Sequence, residues 1–347
     1  MNELENATPW GFSMELSIFP GSDQNPLHSY LQETKCCIDS ELAKLLSSIP
    51  AFSLRDKIEY AVLSSGKRLR PSLVLLSAES VGAKKQNLIR LALTVELMHT
   101  ATLIHDDILD RDVVRRNMPT LQAKWSMNEA ILVGDALVAM ALNLAADYGG
   151  DILKILGNAG LLLCEGEYLD SMPVQLPLSE DHYLYVISKK CASLFRAAAE
   201  IGAIAGGGSR SDVKSLAEFG EHFGMAFQIN DDLSELTFKE GGIPTDLMEG
   251  RATLPLIHLY GSLEKDEKEA LLKNLRSLNS ADLLEKEALF RRILEVLEKQ
   301  GSIEYCRDRI CHFVNRSIMD LSPLREGIHR GYLAELAQSL VPASVNS

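Results

Sequence analysis

Residues 96–116, ELMHTATLIHDDILDRDVVRR, constrain the fold most, because they join an apolar helix to a cluster of acids. Asp106, Asp107 and Asp110 are spaced by one, three and four residues, and steps of three and four share one helix face. Two carboxylates about 4 Å apart repel each other by about 4 kcal/mol at an effective dielectric constant near 20. An apolar helix is therefore expected to carry this cluster only where the acids share a cation. Ligands that are all oxygen predict Mg²⁺ or Mn²⁺, which usually bridge to phosphate.

A second acidic cluster follows in residues 227–235, FQINDDLSE. It places Asp231, Asp232 and Glu235 at steps of one and three after an apolar helical run over residues 216–227. A single acidic cluster at a helix end is more often a solvated face than a ligand site. Two clusters that each end an apolar helix, 125 residues apart, predict opposing walls of one metal–diphosphate cavity.

Basic residues complement the acids. Arg115 and Arg116 follow the first cluster, and guanidinium groups fit phosphate oxygens. In GKRLRP, Lys67 and Arg70 fall on one side of a turn, which indicates either a basic patch beside a helix or a second anion site. Lys190 interrupts an apolar helical run, where a buried ammonium group is costly unless it faces an anion.

The composition excludes several classes of protein. The 347 residues are 46% hydrophobic and carry a net charge of −13, which argues against nucleic acid or an anionic membrane as the main partner. The six cysteines show no CxxC pair and no zinc spacing. No uninterrupted apolar run reaches the roughly 18 residues of a membrane span, and no signal peptide is evident at the N-terminus. We therefore expect a cytoplasmic protein without a transmembrane segment.

The apolar periodicity predicts helices and no strands. Residues 1–25 are rich in proline and glycine and are expected to form an irregular arm before one domain over residues 26–347. Ser53 is the expected N-cap of the second helix. The predicted helical segments cover residues 28–48, 53–65, 72–82, 88–112, 128–147, 151–170, 181–205, 211–235 and parts of 264–341. The fold class is therefore all-α.

Over residues 28–340 the chain resembles the trans-isoprenyl (polyprenyl) diphosphate synthase family. The segments GKRLRP, ELMHTATLIHDDILDRDVVRR, LVGD, CEGEYLD, SKKCASLF, FQINDD and DLMEGRATLP occur in the family's order and spacing. The resemblance implies the isoprenoid synthase fold, a large single-domain helical bundle around a central cavity, usually as a homodimer. It also implies a Mg²⁺-dependent reaction in which isopentenyl diphosphate attacks an allylic diphosphate head-to-tail.

The resemblance also assigns roles to individual residues. The metal ligands would be Asp106, Asp107, Asp110, Asp231, Asp232 and Glu235. The catalytic contacts to the allylic diphosphate would come from Arg115, Lys190 and Gln228. Isopentenyl diphosphate would be bound by Lys67, Arg70, His99 and Arg116. His105, directly before the acids, is expected either to be structural or to support the ligand residues from behind.

The chain departs from the family's pattern at four places. Glu235 stands where aspartate is usual, Cys191 where threonine is usual, and Asn117 where glycine is usual. The glycine–lysine pair expected after the second cluster is Gly242–Ile243, although Lys239 lies nearby. Loss of one contact that strengthens in the transition state can cost about 10²–10³ in rate. We therefore expect an enzyme that is slowed but not inactivated.

Product length is expected to depend on the residues just before the first cluster. In the family these positions form a floor under the growing chain, and here they are Ala101 and Thr102, both small. Met98 lies one turn deeper and could act as a partial stop. The sequence therefore predicts an all-trans product of five or more isoprene units.

Two other functions stay open. A weakly active or non-catalytic regulatory subunit of a heteromeric prenyl diphosphate synthase would account for the changes at Cys191, Glu235 and Ile243. A class I terpene cyclase needs the same ionisation chemistry. It has no second diphosphate to hold, however, so the complete predicted isopentenyl diphosphate site argues against it.

Overall fold

The computed structural model describes residues 25–49, 53–64, 66–172, 179–237, 247, 251–278 and 282–342, and 81% of it is helical. The predicted N-terminal arm, apart from Asn25, lies outside these residues, as do Lys239, Gly242 and Ile243. In the described part, the only sheet is a two-stranded antiparallel hairpin of β1 (Val114–Arg115) and β2 (Met118–Pro119). The prediction of an all-α fold is confirmed.

The α-helices are numbered in chain order. They are α1 (Pro26–Ser48), α2 (Arg55–Leu63), α3 (Leu69–Ser80), α4 (Ile89–Leu109), α5 (Leu121–Lys124), α6 (Met127–Ala146), α7 (Gly150–Asp170), α8 (Glu180–Ile187), α9 (Ser193–Ala205), α10 (Arg210–Thr237), α11 (Leu254–Ser262), α12 (Lys265–Leu278), α13 (Leu283–Lys299), α14 (Ser302–Asp320) and α15 (Ile328–Gln338). One π-helical turn, Ser188–Ala192, joins α8 to α9 without a break.

Two helix starts differ from the sequence prediction. Helix α1 begins two residues early, because the Asn25 side chain accepts hydrogen bonds from the first free N–H groups and Pro26 fits the first helical position. The predicted cap at Ser53 is wrong. Helix α2 starts after Leu54, whose side chain caps nothing.

Helix α4 runs through the middle of the main core. Its residues 91–98 are buried on every side, and it packs against α3, α6 and α1. Helix α10 packs against α9 and α14 through Phe219 and Phe223, which are fully buried. Because α4 and α10 each carry one acidic cluster at the C-terminal end, these packings decide where the acids lie.

A second, smaller core lies beside the main one. It includes residues of α11, α12 and α13. Helix α11 contributes side chains to both cores. Leu254 and Ile257 pack in the main core, and Leu256 and Leu259 pack in the smaller core. This helix therefore joins the C-terminal helices to the part of the bundle that carries the acids.

Helix α6 is the one described helix that is long and apolar enough to cross a membrane by length and composition. Asp135 interrupts its apolar run, so a search for uninterrupted runs does not find it. Its inner face packs against α4, and 39% of its most apolar window is buried within the protein. Core helices of globular proteins pass the same test, so this is weak evidence for a membrane span.

Candidate active site

One face of α4 opens where the first acidic cluster begins. His99, Thr102, Leu103, Asp106 and Asp110 are partly exposed and recur at steps of three and four, whereas residues 91–98 are buried. The open face therefore leads from a closed apolar core to the carboxylates at the end of the helix. This acidic end of the open face is the mouth of the site.

Three cations from three different elements hold the acids of this mouth. Arg115, on the hairpin, donates from Nε to Asp107 Oδ1. Arg251, just before α11, donates to Asp110 Oδ1 and lies 3.5 Å from Asp170 Oδ2 on α7. Each ion pair offsets part of the cost of burying a carboxylate, which is several kcal/mol per unpaired ion.

Lys190 is the third of these cations and lies on the π-helical turn. Its Nζ is 2.6 Å from Asp170 Oδ2 and 3.1 Å from Glu167 Oε2, both on α7. These carboxylates, together with Asp106, raise the pKa of Lys190 despite its burial. Lys190 therefore stays charged at neutral pH.

The π-helical turn reaches α7 because position 166 is glycine. A β-carbon on Gly166 would lie 2.3 Å from the backbone nitrogen of Lys190, a distance that no side chain tolerates. Single π-turns inside α-helices are frequent at functional sites. Here the turn brings Lys190 to the acids and places Cys191 in the interior, where burial raises the pKa of its thiol to about 12. Cys191 is therefore a neutral thiol that accepts a weak hydrogen bond from Arg70 Nη2 at 3.8 Å.

The second acidic cluster is deeper than the first. Asp232 is buried and accepts hydrogen bonds from Tyr183 Oη at 2.6 Å and Gln228 Nε2 at 2.7 Å. Asp231 interacts electrostatically with Glu235 on its own helix, and with Arg70, Lys67 and Lys190 across the site. Because Lys190 also pairs with the acids of α7, the structure brings both clusters to one place.

Arg70 is a half-buried cation that is attracted to Asp231 but forms no ion pair within 4 Å among the described residues. Its guanidinium stacks 4.2 Å from the centre of the Phe195 ring, and its Nη1 lies 3.1 Å from His99 Nε2. Burial and the neighbouring arginines hold the pKa of His99 well below its usual range, so the ring is neutral and accepts this hydrogen bond. Within the described residues, Arg70 Nε is buried with no hydrogen-bond partner. A buried donor left in this way indicates a site for an anion.

Lys67 and Arg116 lie beside Arg70. Burial lowers the pKa of both. Repulsion from Arg116 lowers the pKa of Lys67 further, and repulsion from Arg115, Arg68 and Arg70 lowers that of Arg116. Neighbouring Arg68 fixes the loop that carries Lys67. It has a left-handed backbone, with φ of 53°, and its side chain bonds to Asp39 at 2.8 Å and Glu96 at 2.5 Å. The result is a rigid cationic wall that faces the second acidic cluster.

The carboxylates suit a divalent metal chemically. Burial is the main cause that raises the pKa of Asp106 and of Asp232 to about 7. Asp106 Oδ1 is buried and accepts no hydrogen bond from the described residues. In this part of the chain, no three acidic, histidine or cysteine side chains stand close enough to hold a metal as they are.

Sequence reasoning missed five residues that the structure places at or beside the site. Glu167 and Asp170 are three residues apart on α7, a helical step that the segment CEGEYLD contains. Arg68, Tyr183 and Arg251 gave no such signal, because each depends on a partner far away in the sequence. His105, expected to be structural, lies 3.8 Å from Asp135 and packs onto Gly134.

Comparisons with known proteins identify the family of this chain. Residues 52–293 match the model of the family described as polyprenyl synthetase. A geranylgeranyl diphosphate synthase of Methanosarcina mazei is 33% identical over 315 residues, which cover 88% of this chain and 94% of that protein. A decaprenyl diphosphate synthase from Rhodobacter capsulatus has a similar crystal structure, with a TM-score of 0.82 and 31% identity over 91% of this chain and 97% of that one. A polyprenyl synthase from Caulobacter crescentus, solved with calcium and isoprenyl diphosphate, gives a TM-score of 0.82 and 28% identity over 93% and 99%.

The fold and the matches define the class as all-α prenyl diphosphate synthases. The chain belongs to the polyprenyl synthetase family and is a prenyltransferase that makes prenyl diphosphates. Members of this family use divalent metal ions and isoprenyl diphosphate substrates.

The raised pKa of Asp106 predicts how stability depends on pH in metal-free buffer. Between about pH 4 and pH 7 the folded protein keeps a proton on Asp106 that the unfolded chain has lost, so the free energy of unfolding falls as pH rises. Asp106→Asn removes this effect. At pH 8 the variant should be more stable than the wild type by about 1 kcal/mol or more, with the difference shrinking towards pH 4. Urea unfolding at several pH values measures it.

A matched control is Asp308→Asn, which changes an exposed acid on α14. Its unfolding free energy should follow the wild type at every pH. A difference in unfolding free energy between Asp106→Asn and the wild type that stays constant across the pH range would show that ionisation of Asp106 does not destabilise the folded protein.

Proposed function

We propose that the enzyme condenses isopentenyl diphosphate head-to-tail with an allylic diphosphate, with Mg²⁺ as the cofactor, to give an all-trans polyprenyl diphosphate. The observation that carries the proposal is the pairing of two chemically different anion sites. One is a set of carboxylates suited to a metal-bound diphosphate, and the other is the cationic wall of Arg70, Lys67 and Arg116. A cyclase would need only the first site.

The allylic diphosphate would bind at the acidic clusters. Its metal ligands would be Asp106, Asp107, Asp110, Asp231, Asp232 and Glu235, and Mn²⁺ would suit the same oxygen ligands. Bound Mg²⁺ would offset the negative charge that develops on the leaving diphosphate. Arg115 and Lys190 would exchange their carboxylate partners for diphosphate oxygens, and Gln228 would donate from its amide. Fixed donors of this kind stabilise the leaving group most as the bond breaks.

Isopentenyl diphosphate would bind at the cationic wall. Arg70 has an unused buried donor, and Lys67 and Arg116 add charge beside it. His99 accepts from Arg70 and so orients the guanidinium. The buried part of α4 excludes water from the carbocation until the second substrate attacks.

The family usually has a lysine where this chain has Ile243, and Arg251 offers a cation in its place. That loop and Lys239 lie outside the described residues, but Arg251 follows it and contacts acids of both α4 and α7. We propose that Arg251 supplies a fixed cation on the leaving diphosphate in place of the missing lysine.

A homodimer is the assembly that the outer surface supports. Leu132 on α6 and Leu161 on α7 are 53% and 71% exposed, and Ile131 and Tyr168 on the same helices are also exposed. Exposed apolar residues in such number on neighbouring helices indicate a protein interface. A second copy of the chain is the proposed partner, and a different synthase subunit is the alternative.

The direct test is incubation of the purified protein with labelled isopentenyl diphosphate, Mg²⁺ and dimethylallyl, geranyl or farnesyl diphosphate in turn. A ladder of products that ends at a defined length is expected, from a particle of twice 38.3 kDa in sedimentation equilibrium. Arg70→Gln should raise KM for isopentenyl diphosphate at least tenfold, with KM for the allylic substrate little changed.

Other outcomes separate the alternatives. No incorporation, with Mg²⁺-dependent diphosphate binding retained, would favour the regulatory subunit, for which Cys191 in place of a hydroxyl donor is the supporting observation. Conversion of the allylic substrate without incorporation of isopentenyl diphosphate would favour a cyclase.

Product length should depend on Met98 and Gly160. Met98 lies eight residues, about 12 Å, below Asp106 along α4. It is 3% exposed, and its Sδ and Cε lie 3.8 and 3.7 Å from where a β-carbon at position 160 would be. Ala101 is fully buried and too small to close the gap, and Thr102 bonds back to the His99 carbonyl. The floor is therefore the contact between Met98 and α7.

Met98→Ala should lengthen the main product by at least one isoprene unit, because it opens this floor. Gly160→Leu should shorten it, and Gly157→Leu, one turn away with open space around it, should leave it unchanged. Chromatography of dephosphorylated products gives the lengths. A main wild-type product of 15 or 20 carbons would refute the prediction of five or more units, and identical ladders from Met98→Ala and the wild type would place the floor elsewhere.

A further inference from the structure

A second cavity, of about 340 Å³, lies outside the catalytic site. Leu254, Ile257, His258 and Gly261 of α11 form one side, and Glu180 of α8 and Tyr305 of α14 form the other. The cavity is partly open to solvent and mostly apolar. Its volume falls within the range of cavities that bind small molecules.

The polar groups of this cavity are already neutralised. Glu180 accepts a hydrogen bond from Tyr305 Oη, and its Oε1 lies 2.8 Å from Arg309 Nε, an ion pair without a well-aligned hydrogen bond. His258 stacks on Tyr305 with ring centres 4.2 Å apart and shares a hydrogen bond with Ser302. Burial lowers the pKa of His258, so its ring is neutral at pH 7. The walls therefore carry no uncompensated charge.

The charges and hydrogen-bonding groups of these walls determine which ligands the cavity can bind. A diphosphate head would meet the carboxylate of Glu180, and an ammonium head would meet Arg309, so either charge would be unfavourable. A carboxylate can accept about four hydrogen bonds, and Glu180 uses only part of that capacity. A hydroxyl group could therefore donate to Glu180 while an apolar body packs on Leu254, Ile257 and the two rings.

Both sides of the cavity continue into the catalytic acids. Glu180 lies one turn before Tyr183, which donates to Asp232. Leu254 lies three residues after Arg251, which pairs with Asp110 and Asp170. A molecule in the cavity would touch the two elements that fix the second cluster and the first.

We infer that this cavity is a binding site, separate from the catalytic site, for an uncharged prenyl chain with a hydroxyl head. The choice of a prenyl body rests on the proposed function, whereas the size, neutrality and position of the cavity do not. The site would let a dephosphorylated prenyl chain act on the enzyme without competing for the metal–diphosphate site.

Gly261 offers a clean test, because no described heavy atom lies within 4 Å of the point where its β-carbon would be. Gly261→Leu should fill the cavity without displacing its neighbours. Gly331→Leu on α15, which also has open space and an exposed position, is the matched control. Titration calorimetry with farnesol as the probe should show binding to the wild type and to Gly331→Leu, and at least tenfold weaker binding to Gly261→Leu. In both variants the midpoint of thermal unfolding should stay within 2 °C of the wild type, and prenyltransferase activity within twofold.

Saturation with Mg²⁺ and pyrophosphate should not displace farnesol from the wild type. Equal affinity of farnesol for Gly261→Leu and the wild type, or displacement of farnesol by pyrophosphate, would mean that farnesol binds in the catalytic site. Either result would overturn the inference. Absence of any farnesol binding would also overturn it. If the protein transfers no prenyl group but Gly261→Leu still loses farnesol, the proposed function fails and the second site stands.

Discussion

Seven carboxylates that crowd together in a buried or half-buried place are the constraint on which the rest of this structure depends. Asp106, Asp107, Asp110, Glu167, Asp170, Asp231 and Asp232 converge from α4, α7 and α10. Left alone they would repel one another and carry a large desolvation cost. Ion pairs with Arg115, Lys190 and Arg251 offset the repulsion and the desolvation cost. The three cations lie on three different elements: the hairpin, the π-helical turn and the segment before α11. The protein therefore holds three cations next to the acids of α4 and α7.

The same constraint explains several local irregularities. The π-helical turn and Gly166 exist together, because Lys190 can reach the acids of α7 only if two backbones come into contact. Arg68 adopts a left-handed backbone because its side chain must cross to Asp39 and Glu96 while Lys67 faces the site. Strain of this kind persists where surrounding contacts fix it. These two irregular positions place Lys190 and Arg68 against the acids with which they pair.

Much of this was predictable from local patterns in the sequence. Apolar periodicity predicted most helices, since a helix buries one face, and the spacing of Asp106 and Asp110 predicted an acidic face. Arg115 and Lys190 were predicted to lie near these acids, but the third cation, Arg251, was not. Arg251 lies 141 residues from Asp110, and no local signal reports a contact that α4, α7 and the segment before α11 make together. The π-helical turn was missed for the same reason, because it depends on the glycine of a neighbouring helix. The cap at Ser53 was wrong because tertiary packing overrides a weak local preference.

We propose that Arg115, Lys190 and Arg251 pair with these carboxylates until a metal-bound diphosphate takes the three cations over. Calorimetric titration of Mg²⁺ with and without pyrophosphate, corrected for their complex in solution, tests it on the wild type and on Arg251→Gln. Pyrophosphate should raise the Mg²⁺ affinity of the wild type at least tenfold. Arg251→Gln should bind Mg²⁺ alone more tightly than the wild type and gain less from pyrophosphate. Equal Mg²⁺ affinity with and without pyrophosphate, or no change in Arg251→Gln, would contradict the account.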